Sequence, residues 1–297
     1  MPKLVLPELG ALCASERPPA HQLVGPEDDL ELQSVLGWFR SHPVDALYTE
    51  AIGNSIDYVL DGGRTGRFDL QLPTVHPGER ASVGAKLEYE VLRVFDLPKI
   101  KPLDTAINGI PVDIKATTTG NWTIPSEAHC QLCICTKMEL LKNRHRTLLV
   151  RTHRSWLQEG ENKDGKRGLA AHARDHWSVP LYDWTPLPVN PLRYLTDVQA
   201  AEVLADKPGQ VKRLLKMFQY LEGRVIPRNV IMTVGAGKDD PVRRAREARG
   251  PAEQLGLNLL CGDKVESREV AAAHGYTLRP GEWLALRQEA DQTNVSP

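Results

Sequence analysis

The chain of 297 residues has few aromatic residues, no long apolar runs and no excess charge of either sign. Phe, Trp and Tyr make up 6% of it. No apolar run approaches the roughly 20 residues that a membrane-spanning helix needs. The N-terminus carries one Lys and no sustained apolar stretch, so it does not read as a secretory signal. We therefore expect a cytoplasmic protein with no membrane partner.

Cysteine is also scarce, and the pattern of the five cysteines does not suggest disulfides. Their number is odd, and three of them crowd into the stretch HCQLCIC, which is unlike a disulfide framework and favours a reducing compartment. A zinc site in this stretch would use His129, Cys130, Cys133 and Cys135. Structural zinc sites usually draw a second ligand pair from elsewhere in the chain. We therefore favour a buried strand in which the cysteines act as small hydrophobic residues.

The near-neutral total of 37 Lys+Arg against 38 Asp+Glu hides an uneven distribution. Residues 1–62 hold three basic and ten acidic residues, whereas residues 137–167 hold nine basic and four acidic ones. Residues 207–249 hold eleven basic and four acidic ones. Two basic stretches far apart in sequence predict two surfaces that face an anionic partner, although solvated helix faces would give the same counts.

The length predicts two domains at roughly 150 residues each. We expect residues 1–26, which are rich in Pro and small side chains, to be poorly ordered. A catalytic domain is then expected over 27–165, a Pro- and Trp-rich linker or packed connector over 166–191, and a second domain over 192–297. The polar tail from 288 onward is expected to be disordered.

The apolar spacing predicts the elements of both halves. In the first half we expect helices from Asp29, over 44–59 and over 81–95, and strands over 103–107, 110–116, 131–136 and 147–151. In the second half we expect helices over 196–205, 209–221, 240–249 and 267–275, and strands over 230–234, 257–261 and 283–287.

The stretch DTAINGIPVDIKATTTG is the most informative segment. Asn108-Gly109 between two alternating apolar runs predicts a two-residue β-hairpin. Counting outward from that loop places Asp104 opposite Asp113 on one face of the sheet. Lys115 projects from the same face, because side chains two residues apart in a strand point the same way.

Two opposed carboxylates repel one another, and a divalent cation between them makes the arrangement favourable. Mg²⁺ takes oxygen ligands, commonly one or two carboxylates together with phosphate oxygens of a substrate. We therefore predict that Asp104 and Asp113 bind Mg²⁺. Lys115 is then placed to orient a water nucleophile or to stabilise charge that develops on phosphorus.

The preceding helix adds a third carboxylate. At about 100° per residue, Glu88 falls inside the apolar arc formed by Leu87, Val91, Leu92 and Phe95. A carboxylate on a buried helix face needs a partner. The partner is either a cation, with Glu88 as a further catalytic-site residue, or an internal salt bridge, for which Lys115 is the candidate.

Four stretches of the sequence resemble the NaeI-type restriction endonucleases. They are DGGRTGR (61–67), VGAKLEYEVLRVF (83–95), INGIPVDIKATTTGNWTIP (107–125) and GRVIPRNVIMTV (223–234). The resemblance runs in one order from about Asp28 to Leu286. Residues up to Pro26 do not match, the C-terminal tail is shorter, and Ala236–Pro251 differs substantially.

The resemblance implies a dimeric, Mg²⁺-dependent α/β enzyme that cleaves double-stranded DNA. Its first domain would have the restriction-endonuclease-like fold, a mixed sheet with a PD-(D/E)xK site. Its second would contain a winged-helix element like that of the CAP regulator and would bind another DNA copy as effector. The family's catalytic residues fall on Glu88, Asp104, Asp113 and Lys115. Its relatives suggest a GC-rich palindrome such as GCCGGC as the target.

The basic helix of the second half is the candidate contact to a DNA backbone. Its four arginines are Arg243, Arg244, Arg246 and Arg249. Basic side chains at phosphates position a protein on DNA without reading its sequence.

Two other functions remain open at this point. A DNA-binding regulator could keep the fold without cutting, although the four retained catalytic residue types argue against it. A repair nuclease of the same fold would nick a single strand and act as a monomer. Incubation with plasmid and Mg²⁺ distinguishes the three.

Overall fold

The structure is a computed structural model that divides into two compact units. It describes residues 8–14, 20–118, 120–237 and 239–288. Of these, the first unit takes the residues within Met1–Val59 and Pro73–Pro188, and the second takes those within Leu60–Leu72 and Val189–Pro297. Among the helices of the described segments, none has both the length and the hydropathy needed to cross a membrane.

The described helices and strands are numbered in chain order. The helices are α1 (Leu30–Arg40), α2 (Val44–Leu60), α3 (Gly62–Thr65), α4 (Pro77–Val94), α5 (Ala171–His176), α6 (Asp197–Leu204), α7 (Gln210–Tyr220), α8 (Arg228–Val234), α9 (Pro241–Glu247), α10 (Arg249–Glu253) and α11 (Val265–Ala273). The strands are β1 (Thr105–Ile107), β2 (Ile110–Thr117), β3 (Thr123–Ile124), β4 (Leu132–Glu139), β5 (Arg144–Arg151), β6 (Leu157–Glu161), β7 (Arg167–Leu169), β8 (Ser178–Pro186), β9 (Val225–Ile226), β10 (Leu257–Cys261) and β11 (Trp283–Arg287).

A five-stranded mixed sheet in the order β1-β2-β4-β5-β8 forms the centre of the first unit. The β2–β4 pair is parallel, and the other neighbouring pairs are antiparallel. Both faces of β4 are covered, since Cys133 and Ile134 are each fully buried. This mixed α/β architecture agrees with the class expected from the sequence.

The segment 166–191, predicted as a linker, contains β7, α5 and β8 instead. Strand β8 pairs with β5 at the edge of the main sheet, with Pro180 opposite Leu148 and Pro186 opposite Arg144. Proline is tolerated on an edge strand, where its missing N–H removes no ladder hydrogen bond. The proline-rich composition therefore reflects an edge strand, and the two units divide after Pro188.

Part of the N-terminal segment is ordered, contrary to the prediction for 1–26. Leu12 and Gln22 form an antiparallel bridge, and the N–H of Leu23 donates to the carbonyl of Ala11 at 2.8 Å. The Leu23 side chain is only 1% exposed, so this segment contributes to the core. Residues 1–7 and 15–19 lie outside the described part of the chain, as does the tail 289–297.

The start of α4 was not predicted by the spacing of its apolar residues. The helix begins at Pro77, four residues before the predicted start at Ala81. Pro77 occupies the first helical position, where no intrahelical N–H bond is lost. The Glu79 carboxylate accepts a hydrogen bond from the backbone N–H of His76 at 2.9 Å. Capping chemistry therefore extends the helix beyond its apolar stripe.

The second unit has a three-stranded antiparallel sheet in the order β10-β11-β9, packed with helices around a main core and a smaller cluster that includes Leu260 and Leu284. The segment 230–234, predicted as a strand, belongs to α8, so that prediction is wrong. Val230, Ile231 and Val234 are fully buried at helical spacing. A short continuous apolar run does not distinguish a buried strand from a buried helix.

The predicted basic helix over 240–249 is also interrupted. Helix α9 ends at Glu247, and α10 begins at Arg249. Pro251 cannot donate the backbone hydrogen bond that would continue α9.

Asp29 anchors α1 to the main sheet. Its carboxylate caps the helix by accepting from the N–H of Leu32 at 3.0 Å and receives the Arg151 guanidinium at 2.9 Å. Glu31 also accepts from Arg151, at 2.7 Å. The Arg151 hydrogen bonds and the Leu32 N–H outweigh the opposing effect of burial and lower the pKa of Asp29.

We expect Asp29→Ala to reduce the free energy of unfolding by about 3 kcal/mol, because it removes a helix cap and leaves Arg151 with one carboxylate. The matched control is Glu31→Ala, whose side chain is 58% exposed and whose loss should cost less than about 1 kcal/mol. Urea denaturation measures the free energy of unfolding of both variants. Equal losses in the two variants would contradict this account of Asp29.

A buried histidine joins the edge strand β8 to its neighbour β5 in the same sheet. His145 on β5 is fully buried, and its Nδ1 lies 2.8 Å from the hydroxyl of Tyr182 on β8. Its Nε2 lies 3.2 Å from the Thr49 hydroxyl of α2. Burial lowers the pKa of His145 from its ordinary 6.5 to about 4. The imidazole is therefore neutral in the folded protein at neutral pH.

This shift predicts a loss of stability in acid. Between pH 6.5 and 4 the unfolded chain binds a proton at His145 that the folded chain does not, so stability rises with pH across this window and is lost as the pH falls through it. From pH 7 to pH 4.5, the free energy of unfolding should fall by roughly 2–3 kcal/mol more in the wild type than in His145→Gln. If the free energy of unfolding changed with pH in the same way in the wild type and in His145→Gln, this account of His145 would be wrong.

Candidate active site

A tight hairpin presents the two aspartates. The loop residues Asn108 and Gly109 have φ angles of 52° and 78°, the left-handed conformation that a two-residue hairpin turn requires. The register pairs Ile107 with Ile110 and Thr105 with Val112, which confirms the hairpin register predicted from the sequence as far as Thr105. The N–H of Asp104 donates to the carbonyl of Val112, the partner of Thr105, at 3.3 Å, so Asp104 is held against β2 just before the regular pairing begins.

Asp104 is 8% exposed and is held from two sides. One carboxylate oxygen accepts from the backbone N–H of Ile114 at 2.7 Å, and the other accepts from Nζ of Lys99 at 2.6 Å. Burial favours the protonated acid, but Lys99, the Ile114 N–H and Lys115 outweigh it and lower the pKa of Asp104. Asp104 is therefore a fixed carboxylate at neutral pH.

Asp113 is buried more deeply, at 3% exposure, and pairs with Lys115. Lys115 Nζ lies 2.6 Å from Oδ2 of Asp113 and 3.9 Å from Oδ2 of Asp104. Burial raises the pKa of Asp113 to about 6, with a further contribution from Asp104, and Lys115 opposes the rise. Burial opposes charge on Lys115 as well, yet Asp113 and Asp104 raise the pKa of its ammonium. One ammonium therefore lies between the two carboxylates.

Glu88 reaches this group through Lys99, which the sequence reasoning missed. The ammonium of Lys99 forms ion pairs with both Glu88 and Asp104. An internal salt bridge, one of the two alternatives for Glu88, thus exists, but with Lys99 in the place of Lys115. Burial disfavours charge on Lys99, but the bonds to Asp104 and Glu88 raise its pKa to about 12. Lys99 lies in the loop between α4 and β1, where no helical or strand spacing relates it to the other residues.

The side of α4 that carries Glu88 approaches the hairpin closely. A Cβ atom added to Gly84, one turn before Glu88, would lie 3.4 Å from the carbonyl oxygen of Ala116 on β2. This separation is an ordinary van der Waals contact, so α4 packs directly against β2 at this point.

The donor set fits a divalent cation. The three carboxylates of Glu88, Asp104 and Asp113 carry one more charge than the ammonium groups of Lys99 and Lys115 neutralise. Carboxylate oxygens are hard ligands, the type that Mg²⁺, Mn²⁺ and Ca²⁺ prefer. Asp104 and Asp113 are the residues that would hold the ion, since they share one face of the hairpin.

The structure places the predicted DNA-contacting arginines in two different environments. Arg243 and Arg244 lie on α9 and pair with Glu247, at 3.1 and 2.7 Å respectively. Arg246 is exposed on the same helix. By contrast, Arg249 lies on α10 with its guanidinium carbon 5.1 Å from the centre of the Trp283 ring. The structure thus groups three of the four arginines on one short helix and turns Arg249 toward the core.

A basic cleft of about 340 Å³ lies beside these arginines within the second unit. It is lined by the first residues of α7 and by Arg244. Lys212 contributes a second positive charge, and Gly209 precedes the first turn of α7. A helix N-terminus beside basic side chains favours anions.

Comparison with known proteins identifies the family. A search of curated proteins found no match. The family model described as restriction endonuclease NaeI, however, matches residues 37–294, which include every residue of the carboxylate and lysine cluster. The chain therefore belongs to the NaeI restriction endonuclease family and is a site-specific deoxyribonuclease.

Proposed function

We propose that this enzyme hydrolyses phosphodiester bonds in both strands of double-stranded DNA at a palindromic, GC-rich site resembling GCCGGC, with Mg²⁺ bound by Asp104 and Asp113. The observation that carries the proposal is the hairpin, which holds two buried carboxylates on one face with Lys115 between them. When bound, Mg²⁺ acts as a Lewis acid on the scissile phosphate and lowers the pKa of a water molecule.

The protein side chains position and stabilise the reacting groups. Asp104 is the more rigid ligand, because the Ile114 N–H and Lys99 fix both of its oxygens. The Lys115 ammonium is charged and points toward both carboxylates, where it stabilises negative charge that develops on the phosphate oxygens. Glu88 acts as a positioning residue, since it contacts Asp104 through Lys99.

The proposed target implies a homodimer. A palindromic site repeats each half-site on the opposite strand, and a dimer with a two-fold axis places one copy of a catalytic site at each strand. Each subunit then makes one cut. We place the enzyme in the cytoplasm, where its DNA substrate and a reducing environment for its five cysteines are both present.

We further propose that the second unit is a winged-helix element that binds a second DNA copy and activates cleavage. In this unit β9 follows α7, the helices α8, α9 and α10 come next, and β10 and β11 complete a three-stranded sheet with β9. Arg243, Arg244 and Arg246 on α9, together with Lys212 at the basic cleft, are placed to contact phosphates.

Asp113→Asn should reduce Mg²⁺-dependent cleavage of cognate plasmid by at least about 10³-fold, because it removes a metal-binding charge worth several kcal/mol in the transition state. Binding to a cognate duplex should persist. The matched control is Asp175→Asn, which changes an exposed aspartate of the same unit.

Sequencing the ends of the digested plasmid identifies the target. Full activity of Asp113→Asn would contradict the proposed site. A wild-type enzyme that leaves plasmid intact would indicate a regulator, and one that only nicks it would indicate a repair nuclease.

Adding an uncleavable cognate duplex should accelerate plasmid cleavage, since the second unit then binds an effector copy. In the triple variant Arg243→Ala/Arg244→Ala/Arg246→Ala the stimulation should disappear, and the slope of log affinity against log salt should become shallower by about three. Arg287→Ala, which changes another exposed arginine of this unit, is the control. Rates that do not respond to the added duplex in the wild type would refute effector activation.

A further inference from the structure

Four sulfur and nitrogen ligands converge in the first unit, away from the hairpin aspartates. They belong to Cys13, His21, Cys130 and His153. One ligand atom from each of these residues lies within 4.8 Å of all the others. The two thiol sulfurs are 3.7 Å apart, and Nε2 of His21 lies 3.1 Å from Nδ1 of His153.

These separations fit a tetrahedral zinc ion. Zinc binds thiolate at about 2.3 Å and imidazole nitrogen at about 2.0–2.1 Å. At the tetrahedral angle these bond lengths give a separation of about 3.8 Å between two sulfurs and about 3.3 Å between two nitrogens. The observed 3.7 Å and 3.1 Å are close to both values. A disulfide, in contrast, requires sulfurs at about 2.05 Å.

The four residues form two pairs, Cys13 with His21 and Cys130 with His153, and a backbone hydrogen bond positions each pair. The N–H of Cys13 donates to the carbonyl of His21 at 2.8 Å, which holds the first pair side by side. The N–H of Cys130 donates to the carbonyl of Thr152 at 2.8 Å, which places Cys130 beside His153. Two Cys/His pairs from distant segments are the usual construction of a structural zinc site.

This arrangement explains why the sequence pattern pointed to the wrong zinc ligands. Of the four residues weighed within HCQLCIC, only Cys130 belongs to the cluster. Cys133 and Cys135 are buried on β4 as small hydrophobic residues, as predicted. The missing second pair comes from the N-terminal segment, which begins before the residues that match the family.

The surroundings suit thiolates. The backbone N–H of Arg154 donates to Sγ of Cys130 at 3.4 Å, and the Ser155 hydroxyl donates to Sγ of Cys13 at 3.7 Å. Such hydrogen bonds orient metal ligands and stabilise their charge. Cys13 is 7% exposed and His153 is 1% exposed, so an ion bound there would be largely shielded from water.

We propose that Cys13, His21, Cys130 and His153 bind a structural Zn²⁺ that fastens the N-terminal residues 8–14 and 20–26 to the first unit, beside the start of β4 and the end of β5. Soft sulfur and imidazole ligands select zinc, whereas the oxygen ligands of Asp104 and Asp113 suit Mg²⁺. The two metals therefore occupy separate sites, and the zinc site does not depend on the proposed cleavage mechanism.

The test measures zinc in the full-length protein, purified under reducing conditions, supplied with Zn²⁺ and dialysed. We expect about one tightly bound zinc per chain, the content of a single four-ligand site. The variants Cys13→Ser and His153→Asn should lose it. The controls Cys261→Ser and His274→Asn, which change the same residue types in the second unit, should keep it. Asp113→Asn should also keep it, which separates this site from the catalytic one.

Replacement with Co²⁺ tests the ligands without depending on variant stability. The wild-type protein should show thiolate-to-cobalt charge transfer and the strong ligand-field bands of a tetrahedral complex, and His21→Cys should retain zinc and strengthen the charge transfer. A wild-type chain that binds no zinc, an octahedral cobalt spectrum, full zinc content in Cys13→Ser, or a Cys13–Cys130 disulfide in mass spectra of the unreduced protein would each overturn the proposal.

Discussion

The first unit depends on how it compensates two carboxylates that face each other in a nearly buried position. Asp104 and Asp113 repel one another, and their burial opposes ionisation further. Lys115 between them, Lys99 on the outer side and the N–H of Ile114 offset that cost. The compensation is incomplete at Asp113, whose pKa stays raised. The cation that we propose at this face would complete the compensation, because it would offset the charge of both carboxylates.

The sequence predicted the hairpin well because local chemistry specifies it. Asn108-Gly109 selects one turn type and one register, and the register places Asp104 and Asp113 without knowledge of the rest of the fold. Helix α2 and strands β10 and β11 were likewise predicted almost to the residue, since their apolar patterns have clear boundaries. The hairpin therefore follows from short-range rules, and its residues lie within the family match over 37–294.

The features that the sequence did not predict depend on contacts between residues far apart in the chain. Lys99 joins Glu88 to Asp104 through a loop that has no periodicity. Strand β8 and helix α8 were mispredicted because proline content and a short apolar run are each compatible with two structures, and the neighbouring elements decide between them. The Cys13 and His21 pair meets Cys130 only through a contact between segments more than a hundred residues apart. No spacing motif reports such a contact.

We propose that Asp104 and Asp113 together hold the catalytic cation. Anomalous diffraction from crystals of the enzyme bound to its cognate DNA and soaked in Mn²⁺ would locate that cation. We expect an anomalous peak coordinated by oxygens of both aspartates, with a DNA phosphate oxygen in the same coordination sphere. A Mn²⁺ ion bound elsewhere on the protein, with the two aspartates still paired only to Lys99 and Lys115, would contradict it.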